Sequence, residues 1–270
     1  MNTNTVIAIG AHPDDIEFMM AGTLILLKAA GWKLHYMNLC DGCCGSATED
    51  AAVISACRKQ EAQIACRLIG ATFHDSIAPD VQLYHTTETV AKTLAVIRRV
   101  KPRLLLLPSP HDYMEDHMNA SRIGVTAAFA RGMRNFPCDP PVPPIGGEIT
   151  VYHALPYGLR DALRRRIRPG QYVDVTSVLQ TKRQMLACHV SQKKWLDQSQ
   201  GMDSYMDTME AMTRAVGAMS GRFPAAEGWR RHNHLGFSAV DHDPLAEVLG
   251  SRCLTDEHYE ASLNEGLPQV

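Results

Sequence analysis

The chain carries no excess of either charge: Lys and Arg number 27 against 29 Asp and Glu in 270 residues, a formal net charge of -2. Without a basic footprint, nucleic acid and anionic membrane surfaces are excluded as default partners, and a small molecule takes their place. There is no apolar run of eighteen residues, so no membrane span is expected. The short N-terminal apolar stretch lacks the charged start of a signal peptide, and a cytoplasmic protein is the natural expectation. No Gly-x-Gly-x-x-Gly turn follows the first apolar run, which disfavours a dinucleotide-binding domain. No Gly-x-Ser-x-Gly elbow is present, which disfavours a serine hydrolase. The eight cysteines are irregularly spaced in a chain long enough to fold without disulfides. Cys40, Cys43 and Cys44 lack a second pair at zinc-finger spacing and read as small residues of a tight loop.

What is present is an alternation of strand and helix patterns. Strands are predicted at 4–10, Lys33–Leu39, Ala71–His74, Arg103–Leu107, Ile149–His153 and Tyr172–Val175. Helices are predicted at 17–30, 48–69, 87–100, 117–134, 176–188 and 203–219, with Val53, Ala56, Cys57, Ile64, Ala65 and Leu68 on one side of the second. The continuous apolar Arg103–Leu107 run implies a strand covered on both faces. The expectation is a single α/β domain, a Rossmann-like three-layer αβα arrangement with a mostly parallel sheet. Its core spans about 4–192, and 193–270 form a C-terminal extension wrapped onto it. Prolines between 137 and 144 mark a loop.

Two polar clusters follow strands one and four. Ala11-His12-Pro13-Asp14-Asp15 sits behind Val6–Gly10, and His111-Asp112-Tyr113-Met114-Glu115-Asp116-His117 follows Arg103–Leu107. In a parallel sheet these exits share one edge, where open α/β folds place their sites. Imidazole and carboxylate together suit zinc, usually as three protein ligands plus water, and His12, Asp15 and His117 would form such a set. Fe2+ accepts the same donors, whereas a magnesium site built on Asp14 and Asp15 is a poor match for the histidines.

These segments resemble the LmbE-like or PIG-L-like zinc N-deacetylases. The resemblance runs through Ala11–Glu17 with Gly22-Thr23, then Asp112–His117. Weaker echoes occur at Asp41-Gly42, Arg58–Glu61 and His189–Gln192. It implies zinc held by His12, Asp15 and His117, and Asp14 as the general base that takes a proton from water. It also implies removal of an N-acetyl group from an N-acetylglucosamine-type compound, releasing acetate and a free amine. Hydrolysis of another acyl amide and a metal-stabilised binding module remain the alternatives. Asp116 is expected to support His117 or a nearby loop, and a homo-oligomer is compatible with all of this.

One position departs from the family pattern. Met114 stands where the family carries a histidine that assists the leaving group or oxyanion, and a thioether donates no proton. His189 is the expected replacement, with His111, His232 and His234 as further candidates. Arg58 is expected near the substrate, although an exposed ion pair with Glu61 three residues on would also explain it. Arg230–His234 reads as a substrate-facing loop or a solvated turn, and Arg164-Arg165-Arg166 as a solvated helix end. Trp195, Trp229 and Tyr157 are candidates for stacking on a ligand or for ordinary packing.

Overall fold

The computed structural model describes residues 4–200 and 205–265. Strand β1 (Thr5–Gly10) is buried at every position and lies between β2 (Lys33–Asn38) and β4 (Leu104–Leu107), parallel to both. With β3 (Thr72–His74), β5 (Thr150–Ala154), β6 (Gln171–Asp174), β7 (Ala226–Arg231) and β8 (Cys253–Thr255) they form one eight-stranded sheet, ordered β3-β2-β1-β4-β5-β7-β6-β8. Strands β1 to β5 are mutually parallel, whereas β7 runs antiparallel to β5 and β6, and β8 antiparallel to β6.

Alternate residues of β1 enter different cores, because successive strand side chains point to opposite faces. Val6 and Ala8 join Leu24, Leu27, Ala65 and Met185 on one face; Ile7 and Ile9 join Leu94, Ile97 and Ile123 on the other. The first face is covered by α1 (Asp15–Met19), α2 (Ala21–Ala29), α3 (Ala51–Leu68) and α6 (Leu179–Leu186), the second by α4 (Thr87–Val100) and α5 (Glu115–Phe129). The mostly parallel three-layer αβα fold expected from the alternation is therefore present. No helix among the described residues is long and apolar enough to cross a membrane.

Three expectations need correction. The predicted 17–30 helix is two helices, broken at Met20. In α3 most of the expected apolar side faces outward: Val53, Ala56, Cys57, Ile64 and Leu68 are exposed and only Ala65 is buried, while Ile54, Arg58, Glu61 and Ala62 are buried beside it. The buried face combines the small apolar Ala62, Ala65 and Cys66 with Arg58 and Glu61, both of which find polar partners there. Arg164–Arg166 belong to no helix but to the exposed segment between β5 and β6. Two helices follow α6: α7 (Val190–Gln200), not anticipated, and α8 (Tyr205–Met219), whose expected first residues 203 and 204 lie outside the described residues.

The expected C-terminal extension contributes β7 to the interior of the sheet, between β5 and β6. Its anchor is Glu227, whose carboxylate accepts from the backbone N–H of Gly22 (2.8 Å) and Thr23 (2.7 Å), from Thr23 Oγ1 (2.7 Å) and from Lys182 Nζ (2.6 Å). It thus caps the start of α2, where orphan N–H groups and the helix dipole favour an anion. Trp229 Nε1 donates to the same Thr23 hydroxyl at 3.0 Å. Removing one member of a buried pair leaves the other charged and unpaired. Glu227→Ala is accordingly expected to lower stability by about 3–5 kcal/mol in urea unfolding. A loss below about 1 kcal/mol would mean that the extension is held mainly by apolar packing.

Candidate metal centre and active-site cavity

Beyond β1 the chain turns sharply, and the turn is closed by a side chain. Asp15 Oδ2 accepts from the backbone N–H of both Ala11 and His12, each at 2.8 Å. Asp14, between Pro13 and the first turn of α1, has φ 117°, a conformation non-glycine residues adopt at a cost of about 1–3 kcal/mol. The strain has a visible consequence: the two adjacent carboxylates turn to different partners.

Asp15 faces two imidazoles. Its Oδ1 lies 3.4 Å from His117 Nε2, and its Oδ2 lies 3.8 Å from His12 Nδ1. Each ring is held through its other nitrogen. His117 Nδ1 donates to Asp112 Oδ1 at 3.0 Å, and His12 Nε2 donates to Asp116 Oδ2 at 3.0 Å. This leaves one nitrogen of each ring and the Asp15 carboxylate converging, with donor atoms of the three residues within 4.8 Å of one another. Carboxylate-held imidazoles of this kind are the usual support of a metal ligand. Asp116 thus supports His12, and also accepts from Val81 N at 2.7 Å; the carboxylate behind His117 is Asp112. Burial pushes the Asp15 carboxyl up, but His117 and His12 outweigh it and hold the group well below the usual carboxylate range. Burial pulls the His117 imidazole down, and Asp15 and Asp112 together raise it above its ordinary value.

Asp14 is largely buried and turns to other partners. Its Oδ2 accepts from the Tyr205 hydroxyl, and its Oδ1 lies 3.7 Å from Arg58 Nη2. Burial raises its carboxyl above the ordinary value, against the pull of Arg58. Arg58 is only 2% exposed, donates to the Pro13 carbonyl at 2.7 Å and sits 3.8 Å from Asp80. The exposed ion pair with Glu61 is therefore ruled out: Glu61 instead accepts from Ser191 N at 2.8 Å and Ser191 Oγ at 2.6 Å.

His12, Asp14, Asp15, Arg58 and His117 all line one cavity of about 330 Å3. Met114 lines it too, and so do Tyr113, Tyr157, Trp195 and Tyr205. His189 does not. It is fully buried, with Nε2 3.4 Å from Glu17 Oε1, and that position denies it the expected direct contact with a leaving group. Burial lowers its imidazole, but Glu17 and then Asp14 reverse the shift and raise it. His111 is exposed and, like His232 and His234, does not line this cavity. Arg230 and Arg231 are strand residues of β7 and line another cavity. The proline-rich 137–144 loop is tied to α4 through the Val142 carbonyl and Arg98, and contributes nothing to the lining. Trp229 is core.

Sequence reasoning missed Tyr205, Asp112 and Tyr113. Asp112 had a signal, since it lies five residues before His117 in a helix-opening segment. Tyr205 had none: 191 residues separate it from Asp14.

Residues 7–128, somewhat under half of the chain, match the family described as PIG-L, GlcNAc-PI de-N-acetylase. The family resemblance of the two motifs is thereby established. The diacetylchitobiose deacetylase of Thermococcus kodakarensis is 26% identical over 196 residues, covering 69% of this chain and 69% of that protein. A 4-oxalmesaconate hydratase of Pseudomonas putida is 24% identical over 205 residues, covering 72% and 76%. The structure of N,N'-diacetylchitobiose deacetylase from Pyrococcus horikoshii superposes with a TM-score of 0.74 at 20% identity, over 90% of this chain and 89% of that one. At that identity the likeness is one of fold.

If Asp112 and Asp116 orient metal ligands, Asp112→Ala and Asp116→Ala should each weaken metal affinity about 10–100-fold. Competition against a chromophoric chelator measures this directly. Unchanged affinity in both variants would remove the metal assignment.

Proposed function

We propose that the protein is a metal-dependent amide hydrolase, within a single domain, that removes the N-acetyl group from an N-acetylglucosamine-type compound. The observation that carries this reading is the division of labour between adjacent carboxylates: Asp15 turns to the two imidazoles, while Asp14 lines the same cavity, held by Tyr205. A binding module would need the first carboxylate but has no use for the second.

The donor set fits zinc, with Fe2+ as an alternative occupant. Held by His12, Asp15 and His117, such an ion would polarise an acyl oxygen and make water acidic enough to attack near neutral pH. Asp14 accepts a proton from the attacking water as its oxygen joins the acyl carbon. The carbon–nitrogen bond then breaks, and Asp14 returns the proton to the amine, so that acetate and free amine form from substrate and water alone. Met114 cannot share that work. Among the described lining residues the phenols of Tyr113 and Tyr157 and the Gln192 amide can act as hydrogen-bond donors, whereas the Tyr205 hydroxyl is bound to Asp14. Arg58 fixes the loop through the Pro13 carbonyl and keeps positive charge beside the base. His189 is paired with Glu17 at 3.4 Å, and Asp14 contributes to raising its imidazole.

The cavity volume and its aromatic wall of Tyr113, Tyr157 and Trp195 suit one sugar ring, apolar on its faces and polar at its edges. The deacetylase relative acts, by its name, on a diacetylated chitobiose. A second reading is hydration of an activated double bond, as the name of the Pseudomonas putida relative describes. Met114 favours it to one extent: adding water to a double bond expels no amine and needs no acid for a leaving group.

Acetate release from a panel of N-acetylated sugars, measured beside loss of absorbance by a conjugated dicarboxylate, separates the two readings. Acetate should form, and Asp14→Asn should retain metal while kcat falls about 10²–10⁴-fold. Full turnover in that variant would remove Asp14 as the base; loss of the conjugated absorbance without acetate would favour hydration.

A further inference from the structure

A second cavity of about 460 Å3 opens beside α5, β5 and β7, separate from the metal-ligand cavity. Its lining includes Arg122 of α5, His153 of β5, Arg230 of β7 and His232 just beyond, and no Asp or Glu among the described residues. Arg231, at the same rim, is already balanced by Asp241 at 3.1 Å and Asp243 at 3.5 Å. Arg230 is not. Among the described residues it has no carboxylate partner; it donates to Ser109 Oγ at 2.8 Å, and its buried Nε has no acceptor. A half-buried guanidinium without a counter-charge is costly unless a ligand supplies one.

The imidazoles beside it are arranged in a chain. His153 contacts Ser121 Oγ through Nδ1 and His232 Nδ1 through Nε2, both at 3.0 Å. That chain leaves the second nitrogen of His232 without a hydrogen bond to the described protein atoms. His153 Nδ1 also faces the Pro108 carbonyl at 3.1 Å, so it donates there while Nε2 accepts from His232 Nδ1. Donors therefore come from α5 and from β7, and His232 adds an acceptor toward which a protonated anion oxygen can donate.

We propose that this cavity binds a phosphate group, with Arg230 as its principal donor and His232 and Arg122 completing the contact. A phosphate presents acceptor oxygens in several directions, matching donors on separate walls, whereas a carboxylate presents two oxygens in one plane. The source is either inorganic phosphate or a phosphorylated metabolite. Hydrogen bonds also lead from this cavity toward the segment that carries Asp112. Ser109, which receives the Arg230 hydrogen bond, donates to the His111 carbonyl at 2.6 Å and accepts from His111 N at 3.1 Å. The next residue is Asp112, the carboxylate that holds His117.

The test is thermal unfolding of the metal-loaded protein titrated with inorganic phosphate, a hexose 6-phosphate or acetate at constant ionic strength. Phosphate at ten times its dissociation constant should raise Tm by about 3–6 °C, saturably, with acetate far weaker. Tighter binding of the hexose phosphate would identify a metabolite site, and equal binding a site for the free ion. Arg230→Met and His232→Asn should each weaken the phosphate response at least tenfold while bound metal stays unchanged. Should Arg230→Met fail to fold, Arg122→Gln takes its place beside His232→Asn. No saturable shift, or a shift that survives in the variants because phosphate sits on the metal, overturns the proposal.

Discussion

At the end of β1, the Asp15 carboxylate turns back to accept the N–H groups of Ala11 and His12. One oxygen thereby closes the turn, and the other is left toward His117. Because β1 is buried on both faces between two parallel neighbours, the turn cannot shift without moving the sheet. The fixed turn sets where His12 lies, how Asp14 is forced into its positive-φ conformation, and where the Pro13 carbonyl meets Arg58. The second motif is equally constrained, since α5 begins at Glu115 and presents His117 from its first turn, beside Asp112. Two rigid strand exits therefore bring together His12, Asp15 and His117, about a hundred residues apart in sequence. This is the precision a metal site demands of its scaffold.

The C-terminal third does more than cover the sheet. Glu227 on β7 caps α2, whose partner helix α1 begins with Asp15. Tyr205 on α8 supplies the hydroxyl bound to Asp14. Stability of the sheet and placement of the Asp14 carboxylate thus rest on residues late in the chain. In α3 as well, Arg58 and Glu61 are buried beside polar partners while Val53, Ile64 and Leu68 are exposed.

How much of this could be read from the sequence follows from where each determinant resides. The strand–turn motifs were legible because an apolar run ending in His and Asp is a local pattern, and the alternation of such runs with helices specified the fold class. The face of α3 was not, because Arg58 and Glu61 at i and i+3 resemble a solvated pair until Pro13 and Ser191 are brought beside them. Strand β7, Ala-Glu-Gly-Trp-Arg-Arg, lacks strand-like alternation; its buried Glu227 makes sense only beside Lys182. The His189 motif could not say that the imidazole would be buried against Glu17 and outside the cavity lining.

The coordination assignment underlies both the proposed chemistry and the reading of the two carboxylates. X-ray absorption at the metal edge of the purified protein measures it most directly. The account predicts one ion per chain with two imidazole nitrogens and carboxylate or water oxygens in its first shell. Sulfur in that shell, from Cys40 or the Cys43–Cys44 pair, or a single imidazole, would contradict it.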